Sequence, residues 1–283
     1  MFYENATKML LICIQTKFYE ILALCREKRY NEAEFSLKGS TAMIDTIMFD
    51  LDGTLLHFSQ KDFIGAYFSE LTKVFIRLGF DAPKSIEALW VGTKAMVLND
   101  GSVFNTERFW KGFAKHLGLS DEKLAEAEAA CDLFYVNEFN NVKSVLSPNE
   151  IPKKLVRKMK EKGYGIVLAT NPLFPECAVE SRLAWSGLDM QDFILVTHYS
   201  NSTFCKPNPG YFREIFSKIN KTPEECLMAG NNPAEDMIAG ELGSEVFLVT
   251  DCLENEAGVD ISAFRNGTLS ELEAYLISMP DIV

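Results

Sequence analysis

Two carboxylates stand two residues apart at the end of an apolar run, in Ile47-Met48-Phe49-Asp50-Leu51-Asp52-Gly53-Thr54. An ionised carboxylate is a workable nucleophile toward phosphorus, and covalent transfer to it replaces one hard step with two easier ones. A second carboxyl group two positions on can protonate a leaving oxygen and then take a proton from the hydrolytic water, if the backbone turns both side chains inward. Gly53 supplies that freedom. The same residues read equally well as an acidic turn closing a strand, since Asp-Gly is a common turn pair.

Three further positions carry compatible chemistry. Thr170, followed by Asn171 and Pro172, can donate its hydroxyl and the next backbone amide to a phosphoryl oxygen where charge develops, although a strand-terminal Thr is also an ordinary cap or turn residue. Lys206, held extended before Pro207, can neutralise a transferring phosphoryl group and spare the nucleophile from repelling an anion; a lone Lys is more often a solvated surface group. The segment Gly230-Asn231-Asn232-Pro233-Ala234-Glu235-Asp236 gathers oxygen ligands suited to a hard cation, which takes one or two carboxylates plus water and phosphate oxygens. Its plainer reading is a polar loop whose acids favour the first turn of the helix that follows.

These positions need a scaffold that brings them together. Short β-rich apolar runs at Ile44–Phe49, Gly165–Ala169, Phe193–Val196, Cys226–Ala229 and Val246–Val249 alternate with helical periodicity. Pro152 opens one helix that stops at Gly163, and Pro209 sits in the first turn of another. The pattern predicts an α/β fold: a Rossmann-like parallel sheet with helices on both faces, its site at the carboxyl ends of the strands. Each chemical position lies just after one of the runs. From Asp50 to Thr170 the chain runs 170 − 50 = 120 residues, where a strand-helix-strand unit needs about 30. The excess is helical: Phe63, Ile64, Tyr67, Phe68, Leu71, Val74, Phe75 and Leu78 form a stripe closed by Gly79, and Ser120 precedes a second helix rich in Ala and Glu. The expected organisation is a helical extension over residues 1–42, a core over 43–57 and 149–283, and a helical lid over 58–148. Within the extension, residues 1–38 lack Gly and Pro and repeat apolar residues at helical spacing; this helix docks on the core, serves as an interaction element, or precedes an original start at Met43.

Composition narrows the partners. With 28 basic and 40 acidic residues the formal charge is 28 − 40 = −12, and no cluster of Lys and Arg is long enough to track a nucleic-acid backbone. A negative protein that handles phosphorylated substrates must place its few cations, and a metal, locally. The seven cysteines are odd in number and contain no C-x-x-C pair, which favours neither a disulfide framework nor zinc and fits a reducing cytoplasm. The apolar stretch Met9 to Ile14 stops at Gln15, short of the roughly 20 residues needed to cross a bilayer, so no membrane span and no signal peptide is expected. Oligomeric state is not set by the sequence.

Taken in order, Asp50-x-Asp52-Gly53-Thr54, Thr170, Lys206 and the Gly230-to-Asp236 loop resemble the four motifs of the haloacid dehalogenase (HAD) superfamily, over about residues 43–250, and the insertion resembles the superfamily's C1 cap. The resemblance implies Mg2+, with Asp50 as nucleophile and ligand and Asp52 as general acid/base and ligand through its carbonyl. Thr170 and Lys206 orient and neutralise the phosphoryl group, Gly53, Thr54, Asn171 and Lys206 meet the substrate, and Asn231 and Asp236 complete the metal site. An acid at position 52 marks the phosphatases and phosphomutases and disfavours the dehalogenases. The departure is Asn231, where the superfamily usually carries an acidic ligand; an amide oxygen still coordinates a hard cation, but charge is lost unless Glu235 or Asp236 moves inward. The implied activity is hydrolysis of a small phosphorylated metabolite through an aspartyl-phosphate. Its alternatives are a sugar phosphomutase and a HAD-like binding or regulatory protein. Candidate leaving-group contacts in the lid are Thr93, Lys94, Asn99, Asp100, Arg108 and Trp110, residue types that also fill ordinary solvated helix faces.

Overall fold

The computed structural model describes residues 43–282; the extension over 1–42 lies outside the described residues. The strands are β1 (Thr46–Phe49), β2 (Gly165–Leu168), β3 (Leu195–Val196), β4 (Cys226–Gly230), β5 (Glu245–Val249) and β6 (Arg265–Gly267). They form one all-parallel sheet in the order β3-β2-β1-β4-β5-β6. β1 sits inside the sheet, Thr46 paired with both Gly165 and Cys226, and Phe49 with both Leu168 and Ala229. That register brings the residues after β1, β2 and β4 to one level.

The sheet is buried on both faces, which is why its strands read as continuous apolar runs and not as alternating ones. Ile47, Phe49, Ile166, Leu168, Leu227 and Ala229 contribute to one core cluster, while Met48, Val167 and Met228 point the other way into a second. The second is closed by Tyr211, Phe212, Ile215 and Phe216 of one helix. β6 went unread in the sequence because Arg265-Asn266-Gly267 is a polar edge strand with no apolar run.

The helices are α1 (Gln60–Arg77), α2 (Ala82–Val97), α3 (Asn105–Leu117), α4 (Asp121–Val136), α5 (Ile151–Glu161), α6 (Glu176–Trp185), α7 (Pro209–Ile219), α8 (Ile238–Glu241) and α9 (Leu269–Ser278). Local chemistry sets their ends. Past α1 the chain turns at Gly79 (φ 76°), where Phe80 N–H donates to the Phe75 carbonyl (2.9 Å) and Gly79 N–H to that of Ile76 (3.0 Å), the paired bonds of a Schellman cap. Asp81 and Ser120 accept from the amides of Lys84 and Lys123 at the starts of α2 and α4.

Helices α1 to α4 all lie between β1 and β2 in sequence. Chain enters and leaves them side by side: Phe58 and Leu146 form an antiparallel bridge, and Ser147 N–H donates to the His57 carbonyl (2.8 Å). The start of α3 is fastened to the core beyond β3, with Asn105 N–H donating to the Ser202 carbonyl (2.9 Å) and Thr106 N–H to that of Tyr199 (3.0 Å). Core carbonyls thereby satisfy amides that a helix N-terminus leaves open. Among the described residues no helix is long and apolar enough to cross a membrane, and Cys131, Cys177, Cys205, Cys226 and Cys252 are free.

Candidate active site

The tight turn after β1 is built by three backbone hydrogen bonds, Leu56 N–H to the Leu51 carbonyl (2.8 Å), Thr54 N–H to the same carbonyl (3.2 Å) and Gly53 N–H to the Leu56 carbonyl (2.8 Å). Gly53 adopts φ 79°, a conformation that side chains resist. Space imposes the same residue, because a Cβ on Gly53 would lie 2.1 Å from Asn231 Nδ2. The Asn231 amide is oriented by two bonds: Nδ2 donates to the Cys252 carbonyl (2.7 Å), and Oδ1 accepts from Thr54 Oγ1 (3.3 Å).

Asp50 and Asp236 share one cation. Lys206 Nζ donates to Asp50 Oδ1 at 2.8 Å and to Asp236 Oδ1 at 2.6 Å, and the lysine is only 1% exposed. Asp236 Oδ2 accepts from Asn232 N–H (2.9 Å); both of its oxygens are thus engaged. Gly230 permits this approach, since a Cβ there would lie 2.2 Å from Asp236 Oδ2. Burial opposes the Lys206 charge, but Asp236 and Asp50 outweigh it and hold the ammonium well above its ordinary range. Burial also pushes the Asp50 carboxyl up, to about 8, with Lys206 opposing and Asp236 and Asp52 adding to the rise.

Thr170 and Asn171 follow β2. The Thr170 carbonyl accepts from Thr197 Oγ1 (2.7 Å) and from Tyr211 Oη (2.9 Å), which fixes the residue against the cavity that it lines. The Asn171 side chain is a bracket between loops: Nδ2 donates to Glu235 Oε2 (3.0 Å) while Oδ1 accepts from Lys206 N–H (3.3 Å). Asp50, Asp52, Thr170, Asn171, Asn231 and Asp236 line the cavity together, whereas Gly53, Thr54 and Lys206 are not among its lining residues. Of the residues expected at the substrate, Asn171 lines the cavity, while Gly53, Thr54 and Lys206 lie behind its lining.

Two functional groups escaped the sequence reading. Arg182 on α6 is fully buried, donates from Nη1 to Asp52 Oδ2 at 2.5 Å and lies with its guanidinium carbon 4.3 Å from the Phe174 ring centroid. No motif marks it, because only the packing of α6 under the β1 turn brings it to Asp52. Glu254 lies past β5, lines the same cavity and donates its N–H to the Asn231 carbonyl (3.1 Å). Burial, with Glu235 and Asp50 nearby, pushes its carboxyl up to about 9; burial likewise raises Glu235 to about 7 against the pull of Lys206. Glu254 was findable: it follows the fifth apolar run as the other site residues follow theirs.

The site thus gathers five carboxylates, Asp50, Asp52, Glu235, Asp236 and Glu254, against two cations, Lys206 and Arg182. That excess, with Asp52 Oδ1 buried and lacking a hydrogen-bond partner and the Asn231 amide in the cavity lining, suits a hard divalent cation taking few carboxylates, an amide oxygen and water. Among the described residues no three His, Cys, Asp or Glu side chains are grouped as metal ligands, so the donor set is the sparse kind and not a carboxylate cage. Together with this floor, α1 to α4 line a cavity of about 150 Å³. Of the six lid residues named as leaving-group contacts, Thr93 and Trp110 line it, while Lys94, Asn99, Asp100 and Arg108 do not. Arg108 instead binds Asn99 (2.9 Å) and Asp100 (2.5 Å).

A parallel sheet with a helical insertion after its first strand, and this floor at the strand ends, define a haloacid dehalogenase-like hydrolase. The model of that family matches residues 44–243, and the chain belongs to it. No curated protein matches the chain. Among solved structures, the HAD phosphatase from Thermococcus onnurineus is similar over 84% of this chain and 100% of its own, at 18% identity and TM-score 0.53. A predicted phosphoglycolate phosphatase from Haemophilus somnus 129pt is similar over 83% of this chain and 99% of its own, at 16% identity and TM-score 0.51. The L-2-haloacid dehalogenase from Xanthobacter autotrophicus covers 84% of this chain and 100% of its own, at 16% identity and TM-score 0.49. At these identities the likeness concerns the fold.

Proposed function

We propose that this chain is a magnesium-dependent phosphatase that hydrolyses a small phosphate monoester through an aspartyl-phosphate on Asp50. The observation that supports this reading most is the pairing of Asp50, on the floor of a cavity that Asp52 also lines, with the buried Lys206 behind it, itself anchored by Asp236. In the first step a carboxylate oxygen of Asp50 bonds to phosphorus, the ester P–O bond breaks, and the leaving oxygen takes a proton from Asp52. In the second, water bonds to the same phosphorus, gives a proton back to Asp52, and the acyl phosphate bond breaks to free inorganic phosphate and Asp50. Arg182 holds the Asp52 carboxyl in place through Oδ2. Lys206 offsets charge on the phosphoryl group, and Thr170 with the backbone after it presents donors to its oxygens. Bound Mg2+ would be held by Asp50, the Asp52 carbonyl and Asn231 Oδ1, and would supply positive charge at the phosphoryl oxygens. In this arrangement Asp236 positions Lys206 and does not serve as a ligand.

A dehalogenase lacks use for an acid at position 52, so the phosphatase reading is preferred. A second reading, a HAD-like binding module, draws on Asn231 in place of an acidic ligand. Phosphate release from a panel of monoesters with Mg2+, against Asp50→Asn, decides between them. Release by the wild type and none by the variant supports the phosphatase; equal release removes Asp50 from the mechanism, and no release by either favours the binding module.

A further inference from the structure

The cavity's charged side chains lie at its floor, and among the described residues the lid adds only Gln60 and Thr93 as aliphatic polar groups. Its walls come from α1 to α4 and from the loops at Phe174 and Tyr199, and among the described residues no Lys, Arg, Asp or Glu of those helices lines it. Phe68, Leu71, Leu89, Trp90 and Phe109 are characteristic of what does. The tyrosines there turn their polar ends on protein partners: the Tyr67 and Tyr135 hydroxyls bond each other at 2.7 Å, and the Tyr199 hydroxyl is bonded to the Trp110 and Thr106 side chains. Apart from Gln60 and Thr93, what remains of the lid toward the cavity is mainly ring face and aliphatic carbon. Arg108, a cation of the lid close enough in sequence to serve, is consumed by Asn99, Asp100 and Ser102. A leaving group bearing a second phosphate or a carboxylate would be stripped of water here and meet no lid cation, and one bearing a row of hydroxyls would meet few partners beyond Gln60 and Thr93.

Size adds a second constraint. The cavity, floor included, measures about 150 Å³, so the phosphoryl group and the leaving group must share it. Its roof is set by close helix packing, since a Cβ on Gly92 of α2 would lie 2.6 Å from Phe109 Cδ2 of α3. The wall therefore does not recede easily to take a larger group.

We infer that the substrate is a monophosphate ester of a small, uncharged, apolar alcohol, and not a sugar phosphate, nucleotide or phosphoglycolate. The inference rests on the phosphatase reading for its chemistry, but its binding arm is independent of turnover.

The test compares benzyl phosphate and cyclohexylmethyl phosphate with glycerol 3-phosphate, glucose 6-phosphate and phosphoglycolate, all with Mg2+. All are alkyl esters, so phenolate leaving-group activation does not enter the comparison. The expected result is a kcat/KM for the two apolar esters about 10- to 100-fold above that for glycerol 3-phosphate, the scale set by burying one ring. Thr93→Arg, which places a guanidinium at a half-buried wall position, is expected to cut that preference about tenfold. Equal or faster release from the polar esters overturns the inference while leaving the phosphatase reading intact. If no ester is hydrolysed, the phosphatase reading fails alone, and calorimetry decides the substrate class: benzylphosphonate binding about tenfold or more tighter than methylphosphonate supports it, and equal binding overturns it.

Discussion

Arg182 Nη1 lies 2.5 Å from Asp52 Oδ2, and the arginine has no exposed surface. The pair joins a helix that follows the second strand to the turn that follows the first, so the candidate acid is aimed by a part of the chain 130 residues away. Removing one member of such a pair leaves the other without compensation. Arg182→Met is expected to lower unfolding free energy by about 2–4 kcal/mol and to depress kcat, whereas Arg182→Met combined with Asp52→Asn regains part of the stability and none of the activity. Denaturant unfolding of the four proteins in a double-mutant cycle checks this; additive losses would mean that the two side chains are not coupled.

Asp50 is a destabilising residue kept at a floor crowded with carboxylates. Its carboxyl is raised to about 8 by burial and by Asp236 and Asp52. In metal-free buffer near pH 8, Asp50→Asn should therefore raise the melting temperature by a few degrees while abolishing phosphate release, a trade between stability and function. Lys206→Met should do the reverse to stability, because Asp50 and Asp236 lose their shared cation. Thermal unfolding monitored by circular dichroism separates the two, and a fall in melting temperature for Asp50→Asn would refute the first half.

Asn231→Asp sets two effects against each other. The carboxylate would face the Cys252 carbonyl that Asn231 Nδ2 now serves at 2.7 Å, so without metal the variant should be less stable, by about 1–3 kcal/mol. With Mg2+ the added charge should tighten binding and recover stability. Melting temperatures with and without Mg2+, together with calorimetric titration, test this. Unchanged magnesium affinity would take Asn231 out of the ligand set.

Gly53→Ala should cost more than the roughly 1 kcal/mol of ordinary left-handed strain, because its methyl group collides with Asn231 as well. Loss of activity is expected to exceed loss of stability, since Asn231 is displaced from the cavity wall. A variant with full activity would show that the turn can yield.

His57 and His198 tie stability to pH. Burial lowers the pKa of each, with Asp251 opposing at His57, and with Glu176 opposing and Lys218 assisting at His198. A folded pKa below the unfolded value of about 6.5 gives stability that is present above pH 6.5 and lost as pH falls through the folded value. Between about pH 7 and pH 5 the two histidines therefore take stability away, against the raised acids Asp50, Glu235 and Glu254, which add it as they protonate, so the melting temperature of His57→Gln with His198→Gln should gain on that of the wild type as pH falls. An unaltered slope in the double variant would assign the acid sensitivity to other groups.

Much of this protein is legible from local pattern. The runs around β1, β2, β4 and β5 read as strands because both faces of the sheet are covered and nearly every side chain in them is apolar. Helix ends at Gly79, Asp81 and Ser120 follow from cap chemistry that each residue carries in itself. Asp50, Asp52, Thr170, Lys206 and Asn231 could be named because a parallel sheet gathers whatever follows its strands. Tertiary structure alone decided the rest. Arg182 reaches Asp52 through helix packing that no spacing encodes, and β6 pairs at the edge through backbone bonds that need no apolar side chains. Lys206 belongs to Asp236 as much as to Asp50, and the ring faces of α1 to α4 converge into one apolar cavity only once the four helices close over the floor. Side-chain identity and period determine which surfaces must be buried; which partner each buried group meets is set by distances between segments far apart in sequence.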